Sequence, residues 1–133
     1  MMRFVLEHFG FGAIAREEHI ENHVTPFSNR LYNETPDKPK AIVYNDCTYL
    51  DNEKSTCLKA LRQLFCVHKN IYLLKPEMYV ALDGYIRDIQ GLYFLNPANN
   101  YARILLKVFQ TNVTEKRGWF RAQNIFILDR GYR

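Results

Sequence analysis

Apolar and polar positions change their period once along this chain, across residues 34–40. Upstream there is no strand alternation. Residues 14–24 read as a helix with Ile14, Ile20 and Val24 inclined to one side, Pro26 ends it, and residues 27–32 form a second short helical piece. The polar stretch 34–40 holds Pro36 and Pro39 and reads as a linker. The expected organisation is a helical lead over 1–33, a linker over 34–40 and one domain over 41–133.

Downstream the pattern is that of strands around one strong helix. Ala41 to Asp46 is a short apolar run closed by a carboxylate, as expected of a buried strand. Leu61 to His68 fits a second strand. Met78–Leu82 and Tyr85–Ile89 fit two more about the Asp83-Gly84 turn. Tyr101–Phe109 carries a helical stripe of Ile104, Leu105 and Val108, with Asn99 or Asn100 placed to cap it. Ile125–Leu128 followed by Asp129 repeats the first strand's design. A meander, a helical crossover and a final parallel strand make an α/β layer around a mixed sheet.

Composition narrows the function classes. At 133 residues with 47% hydrophobic and 24% charged residues, the chain is an ordinary globular sequence. No apolar run approaches the ~18 residues of a membrane helix, and the opening run meets Glu7 and His8 too soon for a signal-peptide core. Three cysteines without a C-x-x-C pair point to a reducing compartment rather than to disulfides or a zinc ribbon. The net charge of +4 is unevenly spread: residues 1–40 hold five Lys/Arg against six Asp/Glu, residues 41–133 thirteen against eight. A basic second part is compatible with a polyanionic partner.

Asp46 and Asp129 each follow a buried-looking strand. On parallel neighbours both would emerge at one sheet edge, where open α/β folds place their sites. Paired carboxylates repel unless a cation or a proton lies between them, and Mg²⁺ or Mn²⁺ suits such oxygen ligands. Solvated strand-end residues near turns are the other reading. The remaining candidates read as structural: Asp83 as a turn residue, Asp88 as a solvated strand position, His19 and His23 as packed or surface histidines, and Trp119 as core. His68-Lys69 reads equally as a phosphate contact or a strand-end pair, and Arg130 and Arg133 as phosphate contacts or exposed charges.

The ordered set Asp46-Cys47-Thr48, His68-Lys69, Lys75-Pro76-Glu77-Met78, Asp83-Gly84-Tyr85-Ile86 and Asp129-Arg130-Gly131-Tyr132 resembles the DDE superfamily endonucleases, the transposases of the PIF/Harbinger and related eukaryotic insertion-sequence-like groups. The resemblance spans residues 41–133, and Asn99-Asn100-Tyr101-Ala102 departs from it by lacking the family's acid. It implies an RNase H-like mixed sheet: three antiparallel strands, a crossover helix and a fourth strand parallel to the first. It further implies Asp46 and Asp129 as catalytic metal ligands for Mg²⁺ or Mn²⁺, DNA as partner and the nucleus as location. The family's third acid follows well downstream of the second, so the expectation is a truncated, N-terminal part of the catalytic domain. A non-catalytic transposon-derived DNA- or protein-binding module is the alternative.

Overall fold

The computed structural model describes residues 10–96, 99–111 and 119–132. Two short helices lead: α1 (Arg16–His23) and α2 (Pro26–Tyr32). In α2, Pro26 stands at the first helical position, where its missing N–H costs nothing, and the Thr25 hydroxyl accepts the Ser28 amide at 3.1 Å. Then follow β1 (Ile42–Cys47), β2 (Leu50–Asp51), α3 (Leu58–Leu64), β3 (Phe65–Cys66), β4 (Ile71–Val80), β5 (Ile86–Phe94), α4 (Tyr101–Thr111) and β6 (Ile125–Leu128). A 3-10 turn at Arg130–Tyr132 ends the described chain.

These strands form one mixed six-stranded sheet built on β4. Along one edge of β4 runs β1, antiparallel, with Asn45 opposite Tyr79 and Cys47 opposite Glu77; β2 continues the same ladder with Leu50 opposite Leu74. β5 pairs β4 antiparallel from Phe94–Leu74 to Ile86–Val80. β6 lies parallel to β1, with Ile42 opposite Ile125 and Asn45 opposite Leu128. A parallel pair cannot be joined by a tight turn, and the connection from β5 to β6 carries α4.

The hydrophobic stripe of α4 buries Ile104 and Val108 against Ala41, Val43 and Tyr79, with Leu105 packed at the margin. Each fully buried aliphatic side chain is worth about 1.5–3 kcal/mol. Asn100 caps the helix, its Oδ1 accepting the Arg103 amide at 2.8 Å. The helical lead joins this core. Phe11 and Trp119 lie buried with ring centroids 5.2 Å apart, and the guanidinium of Arg87 on β5 sits 5.2 Å from the Trp119 ring while donating to the Phe11 carbonyl at 3.0 Å and to that of Ile14.

Three expectations need correction. Leu61–His68 is not one strand: Leu58–Leu64 is helical and only Phe65–Cys66 pairs, with Tyr72 and Ile71. Lys, Ala, Leu, Arg and Gln are strong helix formers, and here local propensity outweighs the apolar run. The second strand proper is β4, which begins at Ile71 rather than Met78. Pro76 hides its first half. The missing N–H of that proline falls at the ladder irregularity with β5 between Lys75 and Glu77, and its carbonyl accepts the Thr48 amide at 3.2 Å. Asp88 is buried rather than solvated, accepting the Ile89 amide at 2.9 Å and the Gln90 side chain. Asp83 does serve the turn: it accepts the Tyr85 amide at 2.9 Å, next to Gly84 at φ +93°, a conformation in which glycine carries no Cβ penalty.

The two histidines of α1 divide between core and surface. His23 Nδ1 meets the Asp83 carboxylate at 2.7 Å and its ring stacks on Tyr85 at 4.1 Å. His19 is fully buried against Trp119, ring centroids 5.0 Å apart, with Nε2 3.3 Å from the Ile42 carbonyl. Burial pushes its pKa from 6.5 down to about 4, against the opposing pull of that carbonyl. The folded chain therefore holds His19 neutral where the unfolded chain takes up a proton. Stability is complete above about pH 6.5 and falls by up to about 3 kcal/mol as the pH drops towards 4. Urea unfolding across that range should show this loss, and His19→Gln should flatten it; an unchanged slope in the variant would place the acid sensitivity elsewhere.

Candidate functional site

The parallel ladder decides where the two sequence-singled acids go. Its last pair is Asn45–Leu128, and Asp46 and Asp129 are the next residues on the two neighbouring strands. They thus stand at the same sheet edge, on strand paths ~4.8 Å apart. Asp46 belongs to β1 and is half-buried; Asp129 is the first residue beyond β6 and is exposed. Asp46 Oδ1 accepts the Cys47 amide at 2.8 Å, and its Oδ2 lies 3.4 Å from the Tyr44 hydroxyl, a weak bond. The Tyr44 phenol is held above its ordinary pKa, first by burial and then by the negative charges of both Asp46 and Asp129.

The turn after Asp129 is tied down by the residues that follow it. Tyr132 donates to Asn45 Oδ1 at 2.8 Å, and its hydroxyl lies 3.7 Å from Cys47 Sγ, so the exit of β6 is pinned to β1. Gly131 passes close against the ring of Tyr101, where an added Cβ would sit 2.6 Å from a ring carbon. The Asp-Arg-Gly-Tyr segment therefore has a local physical account: glycine for a close approach, tyrosine for an anchor. Arg130 is exposed in the same turn, and Arg133 lies outside the described residues.

Beneath this edge is a polar cluster that the sequence reading missed. Glu77, fully buried opposite Cys47, accepts from Asn45 Nδ2 and from the Tyr79 hydroxyl, each at 3.2 Å. Burial foremost, then the Glu77 charge, holds the Tyr79 phenol protonated far above neutral pH. Burial likewise pushes the Cys47 thiol up to about 11, against the opposing effect of its hydrogen bond with Tyr132, so this cysteine is no ready nucleophile at neutral pH. The one signal in the sequence was a Lys-Pro-Glu interruption of an otherwise apolar run.

His68-Lys69 lies in the exposed turn between β3 and β4, with Lys69 Nζ 4.5 Å from the centre of the Tyr49 ring. Asp83 and Asp88 belong to the structural roles given above. Among the described residues, no three His, Cys, Asp or Glu side chains assemble into a group able to hold a metal ion. Asp46 and Asp129 supply hard oxygen donors at one edge, a fit in kind for Mg²⁺ or Mn²⁺ that lacks a third protein ligand.

Tyr132→Phe leaves the buried Asn45 oxygen without its donor and should cost about 1–3 kcal/mol in urea unfolding, whereas Tyr44→Phe removes a long, partly solvated bond and should cost under about 0.5 kcal/mol. Equal effects would mean that Tyr132 does not anchor the turn. Neither a protein-family model, nor a curated protein, nor a solved structure matches this chain.

Proposed function

We propose that residues 41–133 are part of a transposase-derived, metal-dependent DNA endonuclease domain of the DDE type, with an RNase H-like sheet. The observation that carries this reading is the parallel β1–β6 register, which brings Asp46 and Asp129 to adjacent strand ends. The sheet order β5–β4–β1–β6, with three antiparallel strands and a fourth parallel to the first across a helical crossover, supports it. So does the ordered motif set, whose Asp-Arg-Gly-Tyr segment packs against the first strand's end.

In this reading Asp46 and Asp129 are ligands for a divalent cation. When bound, Mg²⁺ or Mn²⁺ would polarise a phosphodiester and lower the pKa of an attacking water. The chain's own contributions are positional. The β1–β6 ladder sets the spacing of the carboxylates, the Cys47 amide orients Asp46 through one oxygen, and the Tyr132–Asn45 bond holds the loop that carries Asp129. Arg130 beside Asp129 is exposed to meet a phosphate. The partner is DNA and the compartment the nucleus. A non-catalytic transposon-derived DNA- or protein-binding module is the second reading, favoured by the lack of a third ligand among the described residues.

Two carboxylates bind Mn²⁺ weakly, because affinity rises with ligand charge count. Mn²⁺ titration followed by water-proton relaxation should show weak binding that falls at least about tenfold in Asp46→Asn and in Asp129→Asn. Asp83→Asn should leave it unchanged. Tight binding that survives both site substitutions would overturn the assignment. Supercoiled plasmid should remain uncut by these residues with Mn²⁺, since a two-metal clamp needs more than two carboxylates. Binding to the same plasmid should weaken steeply with salt.

A further inference from the structure

Next to the carboxylate edge lies a second concavity, which the two acids do not enter. It is a cavity of about 400 Å³ whose walls include Tyr49, Phe65, His68, Lys75, Asn96 and Tyr101. Its floor carries a charge, the ammonium of Lys75. Lys75 is only 6% exposed, its Nζ donates to the Asn99 carbonyl at 3.1 Å and lies 4.0 Å from the centre of the Tyr101 ring. Among the described residues no carboxylate comes within ion-pairing distance of it. An ammonium has three donors, and burying one beside a single carbonyl and a ring face is unfavourable unless an anion completes it.

Other wall groups are also incompletely used. The hydroxyls of Tyr49 and Tyr101 meet at 2.9 Å, so one O–H serves the pair and the other is left to donate. Asn96 Oδ1 is buried without a hydrogen-bond partner among the described residues. A buried acceptor in that state calls for an N–H donor. Phe65, Val67 and Leu95 add apolar wall beside the tyrosine rings, and Lys69 Nζ lies 4.5 Å from the centre of the Tyr49 ring.

We propose that this cavity is a nucleotide-binding site: the phosphate meets Lys75 and the free tyrosine hydroxyl, the base lies among the aromatic walls, and its ring N–H donates to Asn96. A phosphate ion alone would fill a small part of the volume and leave Asn96 unsatisfied. A neutral ring compound would leave Lys75 unsatisfied. A nucleoside monophosphate, or one such unit of a DNA strand, meets all three demands. It also has the size of ligand for which pockets of ~300–1,000 Å³ are built. The site's chemistry stands apart from the nuclease reading. Its role as a seat for a nucleotide flanking the cut rests on that reading, through Tyr101, which abuts Gly131 two residues beyond Asp129.

The test is titration calorimetry of the full chain in EDTA, where no metal contributes, with dTMP, thymidine and inorganic phosphate as probes. dTMP should bind at least about tenfold more tightly than either fragment, since each lacks a charge-assisted or a base contact. Lys75→Met should lose at least about tenfold in dTMP affinity, and Lys75→Arg should retain most of it. Asn100→Asp, an exposed position at the rim where Asp also caps α4, puts a negative charge at the mouth and should weaken dTMP several-fold. This variant decides the matter if Lys75→Met fails to fold. Binding of phosphate as tight as dTMP would reduce the cavity to an ion site and overturn the proposal. So would absence of dTMP binding, or full dTMP affinity in Asn100→Asp or in folded Lys75→Met. The Mn²⁺ titration reports on the carboxylate pair separately, so failure of one reading leaves the other identifiable.

Discussion

The parallel pairing of β1 with β6 is the constraint from which the rest of this architecture follows. Antiparallel neighbours need only a hairpin, but a parallel neighbour demands a crossover long enough to return the chain to the same end of the sheet. That crossover carries α4, whose Ile104 and Val108 cover the face formed by Ala41, Val43 and Tyr79. The same pairing gives β1 and β6 a common C-terminal edge, so that two residues far apart in sequence, Asp46 and Asp129, become neighbours. β1 is then hydrogen-bonded on both sides, by β4 and by β6, and its first two residues, Ile42 and Val43, are buried to within 1%.

Polar groups under that edge hold it in register more than they add raw stability. A buried carboxylate such as Glu77 carries a desolvation cost that Asn45 and Tyr79 offset only through well-placed hydrogen bonds. Slippage of β1 by one residue would turn Asn45 to the opposite face and break its hydrogen bonds with Glu77 and Tyr132. The cluster therefore penalises wrong alignments of the strands that bear the two acids. An apolar replacement would not discriminate among registers in this way.

The helical lead is bound to the sheet by a cation rather than by a broad apolar stripe. α1 buries His19, while the guanidinium of Arg87 reaches from β5 to the carbonyls of Phe11 and Ile14 and lies against Trp119. A planar guanidinium, with several donors and a face that stacks on aromatics, suits a joint between irregular backbone and an aromatic core. The cavity lined by Lys75 uses a cation in the opposite manner: among the described residues its ammonium meets one carbonyl and one ring, and space remains beside it.

Sequence alone determined the elements whose cues are local. An apolar run closed by an acid marked β1 and β6, the 3.6-residue stripe marked α4, Asp83-Gly84 marked the hairpin, and Pro26 marked the helix break, because each signal lies within a few residues. It misled where two local cues compete, as in Leu61–His68, where helix propensity prevailed over an apolar run, and at Pro76, where a ladder irregularity absorbs the missing donor. The candidate carboxylates were legible because each sits at the end of such a run. The cavity lined by Lys75 was not, since Tyr49, Phe65, Lys75, Asn96 and Tyr101 come from separate segments that only the fold brings together. The burial of Glu77, Arg87 and Lys75 was equally hidden. A charged residue reads as solvated until the strands around it are in place, and only the tertiary structure settles which charges lose their water.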